Sequence, residues 1–226
     1  MDKCAVIVAG GSGHRMGTSL PKQFLLLKNK PVIWYTLTAF LHAFPDMQVI
    51  LVLPEQHLET GRSIIHTTPD PDRIWMTIGG ETRFHSVQQG LKHIHHQCIV
   101  FVHDGVRCLV STDLIKKCYT EAVLKGNAVP ATTAVDTIRI ETETGHQQVD
   151  RNKVRIIQTP QTFHSEIIKP AFRQGYQEWF TDEASVVEHA GVTINLIPGE
   201  ADNIKITRPM DMLIAEKLLE ERELGL

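Results

Sequence analysis

The sequence predicts an α/β fold: a Rossmann-like, mostly parallel twisted sheet with helices on both faces and an inserted β-hairpin. Three observations predict it. Short apolar runs recur along the chain, and they read as strands buried on both faces, as parallel strands are. Segments with apolar residues at helical spacing separate them, which makes βαβ units and a sheet covered on both sides. Beyond Thr133 the pattern gives way to apolar–polar alternation around a polar turn, the mark of a hairpin.

The strand candidates are Ala5 to Ala9, Val49 to Leu53, Trp75 to Ile78, Ile99 to Val102 and Ala128 to Ala131. The first helix carries Ile33, Leu37, Phe40, Leu41 and Phe44 between Val32 and Phe44. Val87, Leu91 and Ile94 mark the next, and Leu114, Ile115, Cys118 and Val123 a third. The hairpin runs out through Val135 to Ile140, turns in the polar stretch Glu141 to His146, and returns through Gln148 to Arg151 towards Val154 to Ile157. Its polar flanks keep it off the main core, and packing on a second subunit is one natural use of such an arm. A last helix begins near Thr207, a possible cap, with Pro209 in its first turn and Asp211 at its positive end. Leu213, Leu218 and Leu219 supply its apolar side. With no repeat, low-complexity tract or linker in view, the reading is a single domain over 1–226, with the arm at about 135–157.

Composition removes several classes of function. The chain has 226 residues, ample for a hydrophobic core, with 42% apolar and 22% charged residues. A net charge of −3 offers no global field for nucleic acid. No stretch approaches the ~18 apolar residues of a membrane span. The apolar start is too short for a signal peptide and flows into a glycine loop. Cys4, Cys98, Cys108 and Cys118 form no C-x-x-C pair, so neither a zinc knuckle nor a redox dithiol is indicated. Cys4 and Cys98 read as buried thiols of a reducing, cytoplasmic protein.

The chemistry concentrates at strand ends, where open parallel sheets bind ligands. After the first strand, Gly10, Gly11 and Gly13 let the backbone approach a polyphosphate and aim N–H groups at it. Arg15 and Lys22 add positive charge. The loop is not a P-loop, since no G-K-[ST] follows at the required spacing. Nor is it a dinucleotide fingerprint, because Met16 stands where a third glycine belongs and Gly17 comes one residue late; a hydride-transferring dehydrogenase is disfavoured. Asp104 ends the strand Ile99 to Val102 and could hold Mg²⁺ against a triphosphate. The lesser alternative is a cap on the next loop. Adjacent His103 points the other way and reads as structural. Arg107 could meet a phosphate bidentately or pair with a local acid. His93, His95 and His96 invite a metal reading, but no acid stands at ligand spacing, and a solvated helix end is preferred. Lys205, between Ile204 and Ile206, faces opposite both, towards a wet cleft.

Several blocks run in order along the chain. They are the Gly10 to Gly17 loop with Pro21-Lys22-Gln23; Gly79-Gly80-Glu81-Thr82-Arg83-Phe84-His85-Ser86-Val87; and His103-Asp104-Gly105-Val106-Arg107. Val149-Asp150-Arg151, Gln158-Thr159-Pro160-Gln161-Thr162-Phe163, Thr181-Asp182-Glu183-Ala184-Ser185 and Asn203 to Pro209 follow. Together they are similar to the 2-C-methyl-D-erythritol 4-phosphate cytidylyltransferase family, within the nucleotidyltransferases. The resemblance implies transfer of CMP from CTP to 2-C-methyl-D-erythritol 4-phosphate with release of pyrophosphate, in non-mevalonate isoprenoid precursor synthesis, assisted by Mg²⁺ or another divalent cation. It implies that Ala9, Gly10, Gly11, Gly13, Gly80, Glu81 and Ser86 hold the nucleotide. Arg15 and Lys22 then stabilise the transition state, and Arg107, Thr137, Arg151, Thr181 and Lys205 hold and position the acceptor. It also implies a homodimer in which the arm's Arg151 completes the partner's site, with Thr181 acting across the interface. The family's usual Ala-Ala and Pro in the H-D-x-x-R block are replaced by Gly105-Val106 and Cys108, so a ribitol-5-phosphate cytidylyltransferase is the nearest alternative. A non-catalytic nucleotide-binding regulator is a further one, disfavoured because a binder would not need Arg15, Lys22, Asp104 and Lys205 together.

Overall fold

In a computed structural model of the chain, residues 1–11 and 20–224 are described. The first apolar run becomes β1 (Asp2–Val8). A small hairpin of β2 (Leu26–Leu27) and β3 (Lys30–Pro31) leads into α1 (Val32–Ala43). Then come β4 (Met47–Leu53), α2 (Leu58–Ile65), β5 (Ile74–Ile78), α3 (Arg83–Lys92), β6 (Cys98–Asp104) and α4 (Thr112–Lys125). The second half holds β7 (Asn127–Thr133), β8 (Ile138–Thr142), β9 (Gly145–Val149), β10 (Arg155–Ile157) and β11 (Gln161–His164). It closes with α5 (Ser165–Ala171), α6 (Glu183–His189), β12 (Leu196–Pro198) and α7 (Pro209–Leu224).

The main sheet runs β10-β7-β11-β6-β1-β4-β5, with β12 also paired to β7. β6, β1, β4 and β5 are mutually parallel, as expected. β7 runs the same way but does not touch β6: β11 lies antiparallel between them. The chain moves outward from β1 to β4 and β5, then crosses back to β6, so the topological switch point lies between β1 and β6. Ligands of open α/β sheets bind beyond the strand ends at such a point.

Alternation along the strands feeds two cores. Ala5, Ile7, Leu51 and Phe101 face the layer of α1 and α4, where Leu37, Phe40, Leu114 and Ile115 meet them. Cys4, Val6, Val52 and Val100 face the layer of α3, α5 and α6, with Phe84, Val87, Ile168 and Val187. A third cluster joins Leu27, Val106, Leu109 and Ile206 to Ala215 of α7. Four expected core positions lie outside. Trp75 and Ile78 are 47% and 44% exposed, because β5 is the sheet edge. Val123 and Leu213 also face solvent, on helices that bury one stripe only. At the start of α7 the roles are reversed from those expected: the Thr207 hydroxyl and the Thr207 and Arg208 N–H groups all donate to Asp211 Oδ2.

The arm is a separate two-stranded sheet of β8 and β9, with Glu143 and Thr144 at its tip and Gly145 at φ 144°. β10 brings the chain back to the main sheet along β7. Val135, Ile140 and Ile156 are left 84%, 50% and 49% exposed on the arm and its root.

Gly90 tests the fit between α3 and the sheet. A Cβ there would stand 2.4 Å from Val6 Cγ1 and 3.2 Å from Val52 Cγ2. Gly→Ala in a helix interior normally gains up to ~1 kcal/mol, but forcing a methyl into packed, β-branched neighbours costs about 1–3 kcal/mol. Gly90→Ala should therefore lower stability in urea unfolding; a gain would mean that the two layers are looser than this packing.

Candidate active site

The site begins where β1 ends. Ala9 donates its N–H to the Val52 carbonyl, and its own carbonyl accepts from buried Gln23 Nε2 at 2.7 Å. This ties the strand end to the short 3₁₀ turn Lys22–Phe24, which Phe24 anchors in the core. Lys22 is carried in the same turn: it is only 8% exposed, yet it lines the cleft beyond Gly10 and Gly11. Gly13 and Arg15 lie outside the described residues.

A second glycine pair follows β5. Gly79 bonds back to the Leu53 carbonyl, and Gly80 N–H donates to Ser86 Oγ at 3.2 Å. A side chain at Gly79 would strike Ser86 Oγ, 2.9 Å from the Cβ position, and Gly10 approaches the same hydroxyl from the first loop. Ser86 thus packs between the two loops. Thr82 caps α3 by accepting from His85 N–H. Glu81 stays exposed on the cleft wall. The cleft measures about 480 Å³ and is lined by both glycine pairs, Lys22, Glu81, Ser86, Asp104 and Lys205, a size that suits a small-molecule ligand.

Its floor is a buried ionic network. Asp104 Oδ1 accepts from Arg83 Nε and Nη2 at 3.2 and 3.1 Å, and its Oδ2 meets Lys205 Nζ at 2.9 Å. Arg107 Nε stands 3.8 Å from the same oxygen. The other side of the Arg83 guanidinium grips Glu183 through both carboxylate oxygens. Burial alone would raise the Asp104 pKa, but Arg83, Lys205 and Arg107 hold it well below the usual carboxylate range. Three cations face two carboxyl groups, so positive charge is left over for an anionic ligand.

Glu183 is fully buried at the start of α6, where Asp182 and Ser185 form a reciprocal capping box. Gln161 clamps that cap by donating to Asp182 and accepting from the Ala184 N–H. The Thr181 to Ser185 block therefore encodes a cap and a counter-ion for Arg83. Nothing in the sequence singled out Arg83 or Glu183 as a pair 100 residues apart.

Lys205 is where alternation put it: Ile206 is fully buried, and the Lys205 side chain is 40% exposed into the cleft. Its segment is latched by Gln158 and by Asn203, whose Nδ2 donates to the Thr159 carbonyl. Of the two arrangements open to Arg107, pairing with a local acid is the one present; its Nη1 also donates to the Asn203 carbonyl at 2.7 Å. Thr137 and Arg151 are not in this cleft. They line a separate hollow at the root of the arm, where Arg151 donates to the Val135 carbonyl. Thr181 is exposed, just ahead of α6.

His103 is structural, as read. Its Nε2 donates to the Arg107 carbonyl, and its Nδ1 accepts from the Thr159 hydroxyl, which itself accepts from the Asp104 N–H. Gly105 has a packing cause: a Cβ would lie 2.6 Å from Ile33 Cδ1 and 3.0 Å from Ala9 Cβ. A divalent cation would find buried Asp104 on the floor and the exposed carboxylates of Glu55 and Glu81 on the walls; the described residues offer no cluster of three ligand side chains in the cleft. That fits Mg²⁺ only as an ion that draws its other ligands from phosphate and water.

Glycine-lined, cation-rich and set at the switch point of a mostly parallel sheet, the cleft is that of an α/β enzyme handling a phosphorylated ligand. Comparison with known proteins narrows the class. The family model for IspD, 2-C-methyl-D-erythritol 4-phosphate cytidylyltransferase, matches residues 3–221. The enzyme of that name from Bacteroides fragilis is 44% identical over 97% of this chain and 100% of its own. That from Porphyromonas gingivalis is 42% identical over 95% and 96%. The crystal structure of 4-diphosphocytidyl-2C-methyl-D-erythritol synthase from Anaerococcus prevotii superposes with a TM-score of 0.83 at 26% identity, covering 97% of this chain and 98% of that one. The Thermus thermophilus cytidylyltransferase gives 0.77 at 29% identity, covering 97% and 100%. The chain belongs to the IspD family of cytidylyltransferases.

Burial lowers the His103 pKa to about 3, against 6.5 in a model peptide. A depressed histidine pKa gives stability that is present above the unfolded value and is lost as pH falls towards the folded one. Between pH 7 and pH 5 the loss from this group should be about 2 kcal/mol. Urea unfolding at both pH values checks it: His103→Gln should lose that part of the slope, and an unchanged slope would refute the assignment.

Proposed function

We propose that the chain transfers CMP from CTP to 2-C-methyl-D-erythritol 4-phosphate, the reaction named for its relatives, in isoprenoid precursor synthesis. The observation that carries this reading is that Lys22 and Lys205, from opposite ends of the chain, line one cleft with both glycine pairs. The glycine loops with Ser86 and Glu81 take the nucleotide. Lys205 serves the acceptor.

An acceptor phosphate oxygen attacks the α-phosphorus of CTP in line; the new P–O bond forms as the bond to the β-phosphate oxygen breaks, and pyrophosphate leaves. A phosphate monoester with its second pKa near ~6 is already largely ionised at neutral pH, so no general base is needed. The protein's contribution is positioning and charge neutralisation. Lys22, with Arg15, neutralises the α-phosphate and the leaving group. Lys205 exchanges Asp104 for the incoming phosphate. Asp104 would hold Mg²⁺, which when bound supplies further charge neutralisation on the triphosphate. The compartment is the cytoplasm, consistent with four free, buried cysteines.

The working form is a homodimer. Thr137 and Arg151 stand in their own hollow at the arm's root, so their role falls on the cleft of a second copy, on which the exposed Val135 and Ile140 of the arm pack. Thr181 joins the same junction.

Pyrophosphate release, measured with 2-C-methyl-D-erythritol 4-phosphate and ribitol 5-phosphate across CTP, UTP, ATP and GTP, tests the reading. Turnover is expected with CTP and the methylerythritol substrate; faster release with ribitol 5-phosphate would overturn the acceptor. Lys22→Ala should lower kcat about 10²–10³-fold, as loss of one charge-stabilising donor does, and near-normal turnover would remove its role. The dimer has its own test. Mixed Lys22→Ala and Arg151→Ala chains, each nearly inactive, should recover about one quarter of wild-type activity, because half the dimers then hold one intact site of two. No recovery, under conditions where the chains exchange, would place Arg151 outside the site.

A further inference from the structure

At the opposite end of the sheet, away from the cleft, three metal-binding side chains converge. Cys4 and Cys98 open adjacent parallel strands, β1 and β6, and both point to the α3–α5 face. His96, in the turn leading into β6, comes over them. The two sulfurs and a His96 nitrogen all lie within 4.8 Å of one another. Asp2 Oδ2 is 3.4 Å from His96 Nε2. Three ligands of the types zinc prefers thus meet at one corner, and the Asp2 carboxylate stands beside the third of them as a candidate fourth. From Cys98 to Asp104 β6 spans six residue steps, so the corner lies about 20 Å from the cleft floor.

We infer that Cys4, His96, Cys98 and Asp2 bind a thiolate-seeking divalent metal, Zn²⁺ above all, as a staple across the start of β1 and β6. Tetrahedral Zn with S ligands at ~2.3 Å and N at ~2.0 Å sets ligand atoms roughly 3.5–3.8 Å apart. The cluster needs about 1 Å of contraction to reach that spacing, within the reach of the side-chain torsions of His96 and Asp2, which are 43% and 73% exposed. The buried sulfurs supply the fixed half of the site and the exposed pair the mobile half. The His93, His95 and His96 run gains a meaning through its last member alone, since the needed partners are distant in sequence.

The test uses the full chain, reduced and metal-free, titrated with Co²⁺ as the spectroscopic probe and then with Zn²⁺. One equivalent of Co²⁺ should give a thiolate-to-cobalt charge-transfer band with the visible bands of tetrahedral Co²⁺, and Zn²⁺ should displace it. His96→Ala should weaken binding at least tenfold. Cys98→Ser should abolish the charge-transfer band, with Cys4→Ser as the second thiol variant and circular dichroism reporting that each is folded. Zn²⁺ should raise the unfolding temperature of the wild type and leave that of folded Cys98→Ser unmoved. Absence of a thiolate band in the wild type, or a band and affinity that His96→Ala leaves unchanged, would overturn the site.

Discussion

Much of the cleft hangs on one carboxylate. Asp104 ends β6, the strand next to the switch point, and is buried where a lone charge would cost several kcal/mol. It is tolerable only because Arg83 and Lys205 come to it from two separate parts of the chain, while Arg107 stands three residues on. Arg83 in turn needs Glu183, which needs the capping box of α6 and the Gln161 clamp. The positions of α3, α6 and the Asn203–Ile206 segment are therefore coupled through charge. A change at Glu183, outside the cleft lining, reaches Lys205 in two steps.

Such a network is poor value as pure stability, since hydrophobic replacements often do as well. In the proposed reaction its use is electrostatic preparation. Fixed cations in a low-dielectric floor need no reorganisation when phosphate charge arrives. Lys205 is the member best placed to change partners: it is the most exposed and its contact is to a single oxygen, whereas Arg83 is locked between two carboxylates. On the other wall, Lys22 is fixed by the short turn that Gln23 and Phe24 pin to the β1 end. Lys205, held through one oxygen, and Lys22, carried on a pinned turn, thus line the same cleft.

The fold was legible because its signal is local. Val49 to Leu53 and Ile99 to Val102 are strands by composition alone, and the alternation around Lys205 correctly placed it opposite Ile206. What failed to show was long-range. The sequence does not say that β11 slips antiparallel between β6 and β7, nor that β5 is an edge that leaves Trp75 wet. Site residues were legible where backbone geometry demanded a type, as at the glycines around Ser86. They were hidden where the reason is a partner 100 residues away, as for Arg83 and Glu183. His96 was discounted on local spacing, and only the sheet register brings it to Cys4 and Cys98.

Gly105 shows how a motif departure is read once packing is known. Next to the Asp104 carboxylate, it looks like a substrate-facing change. The space its side chain would occupy belongs instead to Ile33 of α1 and Ala9 of β1, and its carbonyl accepts from the buried Thr36 hydroxyl. Glycine here accommodates a large Ile33, an exchange of volume between two layers of the core. Buried Cys108 likewise belongs to the cluster around Leu27 and Ile206. Val106 is the member of this departure that lines the cleft. Acceptor choice in the proposed reaction then falls on Val106, on Lys205 and, in the proposed dimer, on the arm of the second copy, and Gly105 carries no weight in it.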